Sequence, residues 1–291
     1  MAAKTVVITG ATSGIGEAAA NRFAAKGERV VFIARDHARG AEMLKHLRAI
    51  SGGGHKVHYA DLSRLSEMKR VAAEIAQDEP RIDVLINNAG AMFNTRKVTL
   101  DGLEMTFALN HMAYFVITNL LLARMGAGGR IVSTASDAHK GAKLDFADLQ
   151  SERHYSGFGV YGRSKLCNIL FTRELARRLQ GSGITANCFH PGFVATRFGD
   201  QSGGVLSFGI RAAKTFALTP EQGAQTMVYL ASSPDVGETS GGYFVKCKPA
   251  TPTPEAKNDA DGRRLWEMSA ELAGIGGSEV RAYRRSSGSS L

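Results

Sequence analysis

The chain has 291 residues, of which 44% are hydrophobic and 22% are charged, and its formal net charge is +9. This composition is typical of a globular protein that buries one sizeable core. The positive charge is scattered and includes no arginine-rich run with interleaved aromatic residues, so nucleic acid is not an expected partner.

The chain opens with a predicted strand, a glycine-rich turn and a helix. Lys4–Thr9 is a β-branched run, Gly10, Gly14 and Gly16 follow it, and Glu17–Ala24 is rich in helix formers. Such a turn lets the backbone approach a pyrophosphate, which the positive end of the helix dipole attracts. The spacing G-x-x-x-G-x-G differs from the standard G-x-G-x-x-G. By itself, the turn is also consistent with a loop that needs positive φ.

Strands and helices alternate along the rest of the chain. Apolar runs predict the strands, and apolar residues at helical spacing predict the helices. The further predicted strands are Arg29–Ala34, Lys56–Ala60, Ile82–Asn87, Arg130–Ala135, Ile184–Phe189 and Tyr243–Lys246. The further predicted helices lie near Asp36–Ile50, Met68–Ile75, Leu103–Leu121, Tyr161–Leu179 and Pro220–Ala231. This order predicts an α/β fold: a single Rossmann-type doubly wound parallel sheet with helices on both faces, which binds ligands beyond the carboxyl ends of its strands.

The domain organisation is predicted to be simple. We expect one domain over residues 1–275 and a basic, flexible tail over residues 276–291. No apolar run approaches the ~20 residues of a membrane span, and the N-terminus has no hydrophobic signal region. A cytoplasmic protein without a membrane span is therefore expected.

The cysteines, the possible metal ligands and the surface charge identify no single partner. Cys167, Cys188 and Cys247 form no C-x-x-C pair and are expected to be buried, reduced thiols. No group of His, Cys and carboxylate residues has metal-ligand spacing, so no metal is expected. The basic surface suits an anionic cofactor or an acidic membrane surface. Peripheral membrane contact and a homo-oligomer both stay open.

A tyrosine and a lysine lie four residues apart in one predicted helix. Tyr161 and Lys165 therefore share a helix face, one turn apart. An ammonium beside a phenol is expected to lower the pKa of the phenol from its reference value of about 10. Such a phenol can exchange a proton with a substrate oxygen near neutral pH. Alone, the pair is also what ordinary neighbours on a helix surface look like.

Three further motifs lie near the predicted carboxyl edge of the sheet. Asn88-Ala89-Gly90 ends the fourth predicted strand, Asn110 lies in the long helix, and Ser136 follows the fifth strand. With the glycine turn and the Tyr161/Lys165 pair, this order of motifs resembles the short-chain dehydrogenase/reductase family over residues 4 to 247. The single Rossmann domain of that family agrees with the alternation of strands and helices.

The resemblance implies four catalytic residues. Tyr161 would be the general acid/base, and Lys165 would tune it and bind the nicotinamide ribose. Ser136 would hydrogen-bond the substrate oxygen, and Asn110 would position a water in a proton relay. Ser133 lies in the same predicted strand end and would point to the opposite face. Ser136 is favoured over Ser133 because it aligns with the family position.

The resemblance also implies a nicotinamide cofactor, and the residues favour NADP(H). Relatives that use NAD carry an acidic residue at the end of the second strand, where Ala34 stands here and Arg35 follows. An arginine can pair with a 2′-phosphate by two parallel hydrogen bonds. A solvated surface arginine is the alternative for Arg35. Asp61-Leu62, after the third predicted strand, resembles the adenine contact of the family, and Asp61 could instead cap the next helix. The expected cofactor-binding residues are Gly10, Ser13, Gly14, Ile15, Gly16, Arg35, Asp61, Leu62, Asn88, Ala89, Gly90, Tyr161, Lys165, Pro191, Gly192, Val194 and Thr196.

Two segments resemble retinol dehydrogenase-like members of the family. These are the long insertion at Asp137–Phe158 and the later run Arg264–Leu272. Those members usually start with a membrane anchor, which is not expected at this N-terminus. Residues 193–218 mix apolar side chains with glycines, which suits a lid over a bulky apolar substrate or an ordinary surface loop.

These observations predict an NADP(H)-dependent oxidoreductase that interconverts a carbonyl and an alcohol. The expected substrate is bulky and apolar, like a retinoid, a steroid or a lipid aldehyde. A protochlorophyllide reductase-like enzyme is one alternative. The resemblance to that group implies Pro-Gly-Cys after the sixth strand, whereas Phe193 follows Pro191-Gly192 here. An NADP-binding scaffold or sensor with incidental turnover is the other. A scaffold has no need of Asn110, Ser136, Tyr161 and Lys165 together.

Overall fold

The computed structural model describes residues 3–52, 54–194 and 218–276. Its strands are β1 (Thr5–Thr9), β2 (Arg29–Ala34), β3 (Lys56–Tyr59), β4 (Val84–Asn87), β5 (Arg130–Thr134), β6 (Thr185–His190), β7 (Tyr243–Val245) and β8 (Lys248–Ala250). They form one sheet in the order β3-β2-β1-β4-β5-β6-β7-β8. Strands β1 to β7 pair in parallel, and β8 pairs with β7 in antiparallel orientation.

Helices connect the parallel strands and cover both faces of the sheet. They are α1 (Gly14–Ala25), α2 (His37–Ser51), α3 (Leu65–Asp78), α4 (Met105–Phe107), α5 (Ala113–Leu121), α6 (Gly157–Arg178), α7 (Pro220–Gly223), α8 (Gln225–Ser232) and α9 (Asp259–Ala273). The predicted α/β fold with a doubly wound Rossmann-type sheet is confirmed. Its strand order reverses between β1 and β4, and ligands bind at such a switch point in open α/β sheets.

Two hydrophobic cores flank the sheet. Val7 of β1 belongs to the core that also contains residues of α3, α5 and α6. Val6 and Ile8, its neighbours on the same strand, belong to the core beneath α1 and α2. Side chains alternate between the two faces of a strand, so a strand covered on both sides must be apolar at nearly every position. This double burial is why the strands appear in the sequence as unbroken apolar runs.

Some local features differ from the sequence-based expectations. The helix expected near Pro220–Ala231 is divided into α7 and α8, and β8 was not expected at all. Cys167 and Cys188 are buried, whereas Cys247 is only partly buried. The segments predicted as a lid and a tail lie almost entirely outside the described residues.

The expectation that no apolar run reaches the length of a membrane span is wrong. Met105–Arg124 is long and apolar enough to cross a membrane. Most of this segment is buried inside the fold, between the sheet and its neighbouring helices. A core helix of a globular protein passes the same test of length and composition.

Helix α9 packs on α6 through one aromatic cluster, which gives a stability prediction. Trp266 lies 4.9 Å from Phe115 and 5.8 Å from Phe171, measured between ring centroids. We expect Trp266→Ala to lower the free energy of unfolding by about 3–5 kcal/mol, because it leaves a cavity in this cluster. Glu267→Ala, at an exposed position on the same helix, should change it by less than ~0.5 kcal/mol. Urea denaturation measures both values, and equal effects would contradict this account of the packing.

Candidate active site

The glycine-rich turn after β1 makes room for a ligand by lacking side chains. Gly10 has φ +71°, which disfavours any residue with a Cβ. A Cβ on Gly16 would lie 2.2 Å from the Gly10 carbonyl oxygen, so the turn can close only with glycine there. Ser13 is the N-cap of α1, and its side chain forms no capping hydrogen bond to the helix. The first amides of α1 therefore have no capping partner in the Ser13 side chain, and a helix N-terminus of this kind can bind an anion.

Asn88 ties this turn to the neighbouring strand ends. Its Nδ2 donates to the carbonyl oxygens of Thr9 (3.2 Å) and Gly10 (3.1 Å). Its Oδ1 accepts from the Thr134 hydroxyl at 3.2 Å. The Thr9 hydroxyl in turn accepts from the backbone amides of Asn88 (2.8 Å) and Ala89 (3.0 Å). The carboxyl ends of β1, β4 and β5 are thus held together by side chains.

A polar cavity of about 370 Å³ opens beyond the carboxyl end of β2. It is lined by Arg35, His37, Tyr59, Ala60, Asp61, Glu67 and Arg70. The rings of His37 and Tyr59 stack with their centroids 3.9 Å apart and form one wall. Arg35 is exposed, so its guanidinium is available to an anion in this cavity.

Asp61 lines this cavity, whereas Leu62 belongs to the hydrophobic core. Asp61 Oδ1 accepts hydrogen bonds from the amide (3.0 Å) and the hydroxyl (2.8 Å) of Ser63. The carboxylate therefore shapes the turn before α3, whose N-cap is Arg64. The side chain of Leu62 is buried in the core, so a ligand could meet Leu62 only through its backbone.

Helix α6 carries Tyr161 and Lys165 on one buried face. Ser136 caps the short turn after β5, and its side chain interacts with the Tyr161 phenol in the sense that favours the phenolate. Lys165 is 3% exposed, and its Nζ donates to the Thr134 carbonyl at 3.1 Å and lies 5.5 Å from the centroid of the Tyr161 ring. Ser133 is fully buried, and among the described residues its hydroxyl has no hydrogen-bond partner. The structure thus brings Ser136, Tyr161 and Lys165 together.

The protonation state of this group differs from the expectation. Burial raises the pKa of Tyr161 to about 12, although the Ser136 side chain opposes the increase. Burial also lowers the pKa of Lys165 to about 7. The prediction that Lys165 lowers the Tyr161 pKa is wrong for this state of the site, because desolvation of the buried phenol raises its pKa. The phenol therefore holds its proton at neutral pH and can donate it to an oxygen bound between Tyr161 and Ser136.

Asn110 lies in a π-helical segment, Ala108–Met112, between α4 and α5. Its Oδ1 accepts from the Ala91 amide at 2.9 Å, and its Nδ2 donates to the Ala91 carbonyl (2.9 Å) and to the Ser164 hydroxyl (3.0 Å). A Cβ on Gly90 would lie 3.1 Å from Asn110 Oδ1. Asn110 therefore joins the segment after β4 to α6, one residue from Lys165.

The segment after β6 completes the edge of the site as far as the structure describes it. Pro191 precedes Gly192, which has φ +86°. Val194 forms an isolated parallel bridge with Leu218. Thr196 lies outside the described residues.

Gly223 of α7 is a packing residue that the sequence analysis did not identify. A Cβ at this position would lie 2.6 Å from Val194 Cγ2 and 2.7 Å from Ile15 Cγ2. The segment after β6 and the glycine-rich turn therefore both pack against α7. A glycine at the end of a four-residue helix has no sequence signal that distinguishes this close approach from an ordinary turn.

Asn168 is a second residue that the sequence analysis missed, and its side chain is polar. Its Nδ2 donates to the Thr134 carbonyl at 3.2 Å, so this oxygen accepts from both Asn168 and Lys165. Asn168 lies three residues after Lys165, at a spacing that places both side chains on one helix face. That spacing is the signal that could have identified it.

Comparisons with known proteins agree with this geometry. The model of the short chain dehydrogenase family matches residues 4–203. Retinol dehydrogenase 14 of Mus musculus is 42% identical over a 295-residue alignment that covers 94% of this chain and 87% of the relative. The similarity therefore extends across the insertion and the C-terminal helix.

Solved structures share the fold. An uncharacterized protein from Mycobacterium paratuberculosis superposes with a TM-score of 0.76 at 32% identity, over 93% of both chains. A short chain dehydrogenase from Burkholderia cenocepacia, solved in complex with NADP, gives a TM-score of 0.68 at 27% identity over 83% of this chain and 95% of that one. By its matched family model, its relatives and its fold, this chain is a member of the short-chain dehydrogenase family and a retinol dehydrogenase-like oxidoreductase.

Proposed function

We propose that this protein is an NADP(H)-dependent oxidoreductase that interconverts a carbonyl and an alcohol on a bulky, apolar substrate of retinoid, steroid or lipid aldehyde type. The observation that carries the proposal is the placement of Tyr161 and Lys165 on one buried face of α6, with Lys165 Nζ 5.5 Å from the centroid of the Tyr161 ring, beside Ser136 at the end of β5. These three side chains lie at the same edge of the sheet as the glycine-rich turn.

The reaction divides between the cofactor and the chain. When bound, the nicotinamide supplies or accepts the hydride. In the reducing direction, Ser136 and Tyr161 hydrogen-bond the carbonyl oxygen, and Tyr161 transfers its proton to that oxygen as it becomes an alkoxide. Lys165, anchored on the Thr134 carbonyl, would hold the ribose of the bound cofactor. Asn110 holds the π-helical segment in place and positions a water that returns a proton to Tyr161.

The glycine-rich turn and the cavity beyond β2 fit a dinucleotide phosphate. Gly10 and Gly16 leave the space that a pyrophosphate needs at the N-terminus of α1. Arg35 borders the cavity next to β2, where Ala34 offers no carboxylate to the ribose. A 2′-phosphate would accept a bidentate, charge-assisted contact from Arg35. The NADP complex of the related Burkholderia enzyme supports the same cofactor class.

An apolar substrate is supported by aromatic side chains near the reacting tyrosine. Phe158 lies three residues before Tyr161 on α6, hence on the same face about one turn away. It is 63% exposed, and Phe193, just after Gly192, is 53% exposed. Large exposed aromatic side chains are common in binding surfaces. The relative called retinol dehydrogenase 14 supports a substrate of this size and polarity.

Removal of the Tyr161 hydroxyl should abolish turnover. In Tyr161→Phe, we expect carbonyl reduction to fall by at least about 10³-fold, whereas the Kd for NADPH stays within roughly twofold. The phenol of Tyr155, outside this cluster, provides the matched control Tyr155→Phe, which should retain turnover. Stopped-flow NADPH oxidation and fluorescence titration measure the two quantities. Near-normal kcat in Tyr161→Phe would rule out its catalytic role.

The direction of the Tyr161 pKa predicts opposite pH profiles for the two reaction directions. Below its pKa of about 12 the tyrosine is protonated, which suits reduction. Alcohol oxidation needs the phenolate, whose fraction grows as pH rises towards that pKa. We therefore expect kcat/KM for oxidation to rise between about pH 7 and about pH 9, and that for reduction not to rise. A flat oxidation profile would contradict the assignment.

Arg35 should set the preference for NADPH over NADH. We expect Arg35→Ala to weaken NADPH binding by about tenfold to a hundredfold, which corresponds to about 1.5–3 kcal/mol, and to leave NADH binding unchanged. Lys45→Ala, at an exposed position in α2, should change neither affinity. Fluorescence titration with both cofactors checks this, and equal affinities in the unmodified protein would refute the cofactor assignment.

Chain length of the substrate should control the apparent affinity. Each buried CH₂ contributes about 0.8 kcal/mol, so kcat/KM should climb from short to long straight-chain aldehydes and stay high for all-trans-retinal. The increase should appear mainly in KM, because contacts far from the carbonyl stabilise ground and transition states alike. A flat series, or preference for sugars or hydroxy acids, would exclude the apolar pocket but not the fold.

A further inference from the structure

The turn that carries Ser136 is supported by polar side chains that the proposed reaction does not use. Asp137 and His139 belong to the short helical turn Asp137–His139 and contact His190 and Tyr243; we call these four residues the His139 cluster. They come from the ends of β5 and β6 and from β7. His139 is fully buried.

The hydrogen bonds of His139 fix its tautomer. His139 Nδ1 lies 2.6 Å from the Ser136 carbonyl oxygen, which can only accept, so Nδ1 carries the proton. The Thr253 amide, which can only donate, faces His139 Nε2 at 3.4 Å. The neutral ring therefore donates to the backbone of Ser136 and accepts from the segment after β8. Burial lowers the pKa of His139, which favours this neutral form.

His190 and Tyr243 hold Asp137, the residue after Ser136, in place. The Asp137 amide donates to His190 Nδ1 at 3.2 Å, so the proton of the His190 ring is on Nε2, 3.7 Å from Asp137 Oδ2. The Tyr243 hydroxyl donates to Asp137 Oδ1 at 3.1 Å. The rings of His139 and Tyr243 pack edge to face, with centroids 5.3 Å apart.

The opposite side of the turn presses against the catalytic helix. A Cβ on Gly162, the residue after Tyr161, would lie 2.5 Å from the Ala138 carbonyl oxygen. The turn is therefore fixed between α6 and the His139 cluster. A shift of the turn would move the Ser136 hydroxyl relative to the Tyr161 hydroxyl.

We propose that His139 is a positioning residue that acts through Ser136: its Nδ1–H bond to the Ser136 carbonyl, supported by Asp137, His190 and Tyr243, sets the Ser136 hydroxyl against Tyr161. This inference rests on the proposed function, because it needs Ser136 to bind the substrate oxygen. A misplacement of a reacting group by about 1 Å costs up to roughly 10²-fold in rate, so a displaced turn has a measurable effect.

Two substitutions at His139 distinguish the role of Nδ1 from that of Nε2. The amide nitrogen of Asn can occupy the place of Nδ1 and keep the bond to Ser136, whereas Gln reaches only the place of Nε2. We expect His139→Gln to lower kcat about tenfold with unchanged Kd for NADPH. His139→Asn should retain most of the kcat of the unmodified protein. Tyr243→Phe removes a single hydroxyl from the cluster, with little risk to folding, and should lower kcat in the same way. His46→Gln, at an exposed position on α2, is the control.

A double-mutant cycle with Ser136→Ala tests whether His139 acts through the serine. NADPH oxidation is measured with decanal or all-trans-retinal, whichever turns over faster. In the Ser136→Ala background, His139→Gln and Tyr243→Phe should each change kcat by less than about twofold, since the group that they position is absent. If Ser136→Ala lowers kcat but these losses remain fully additive, the positioning role is refuted and the proposed function stands. If Ser136→Ala has no effect on kcat, the serine assignment fails, and this inference fails with it.

Discussion

The hydrogen bond from Lys165 Nζ to the Thr134 carbonyl determines the geometry of the whole candidate site. A buried amine needs a polar partner, and this one lies on the last residue of β5. The bond therefore sets how α6 meets the carboxyl edge of the sheet. Tyr161 lies one turn earlier on α6 and Ser136 lies two residues beyond Thr134, so the same bond brings the phenol and the serine hydroxyl together.

The site retains features that oppose stability. Lys165 and Tyr161 are buried where burial disfavours the charged form of each, as their shifted pKa values show. Perturbed groups of this kind are concentrated at functional sites. Asn88 links the glycine-rich turn to β5, which is not a neighbour of β1 in the sheet, because its side chain hydrogen-bonds both Thr9 and Thr134. The same edge of the sheet thus combines an anion-binding turn with a buried proton donor.

The sequence was sufficient for the features that depend on local pattern. Doubly buried strands give unbroken apolar runs, and Tyr161 and Lys165 are recognisable because a helix repeats nearly every four residues. The sign of the Tyr161 pKa shift was not predictable, since it depends on burial by distant elements. The His139 cluster was equally hidden: Thr253 meets His139 across 114 residues of chain, and only the folded sheet brings them together. The π-helical segment around Asn110 has no periodic signal of its own.

We propose that a reduced nicotinamide bound at this edge of the sheet would supply a hydride to a carbonyl carbon while Tyr161 protonates the oxygen. The most direct measurement uses NADPH that carries deuterium at the transferable position of the nicotinamide, with all-trans-retinal or a long-chain aldehyde as acceptor. Mass spectrometry of the product should detect one deuterium on the carbinol carbon, formed by the unmodified protein and not by Tyr161→Phe. Tight binding of NADPH without deuterium transfer to any acceptor would contradict the account and favour a cofactor-binding scaffold.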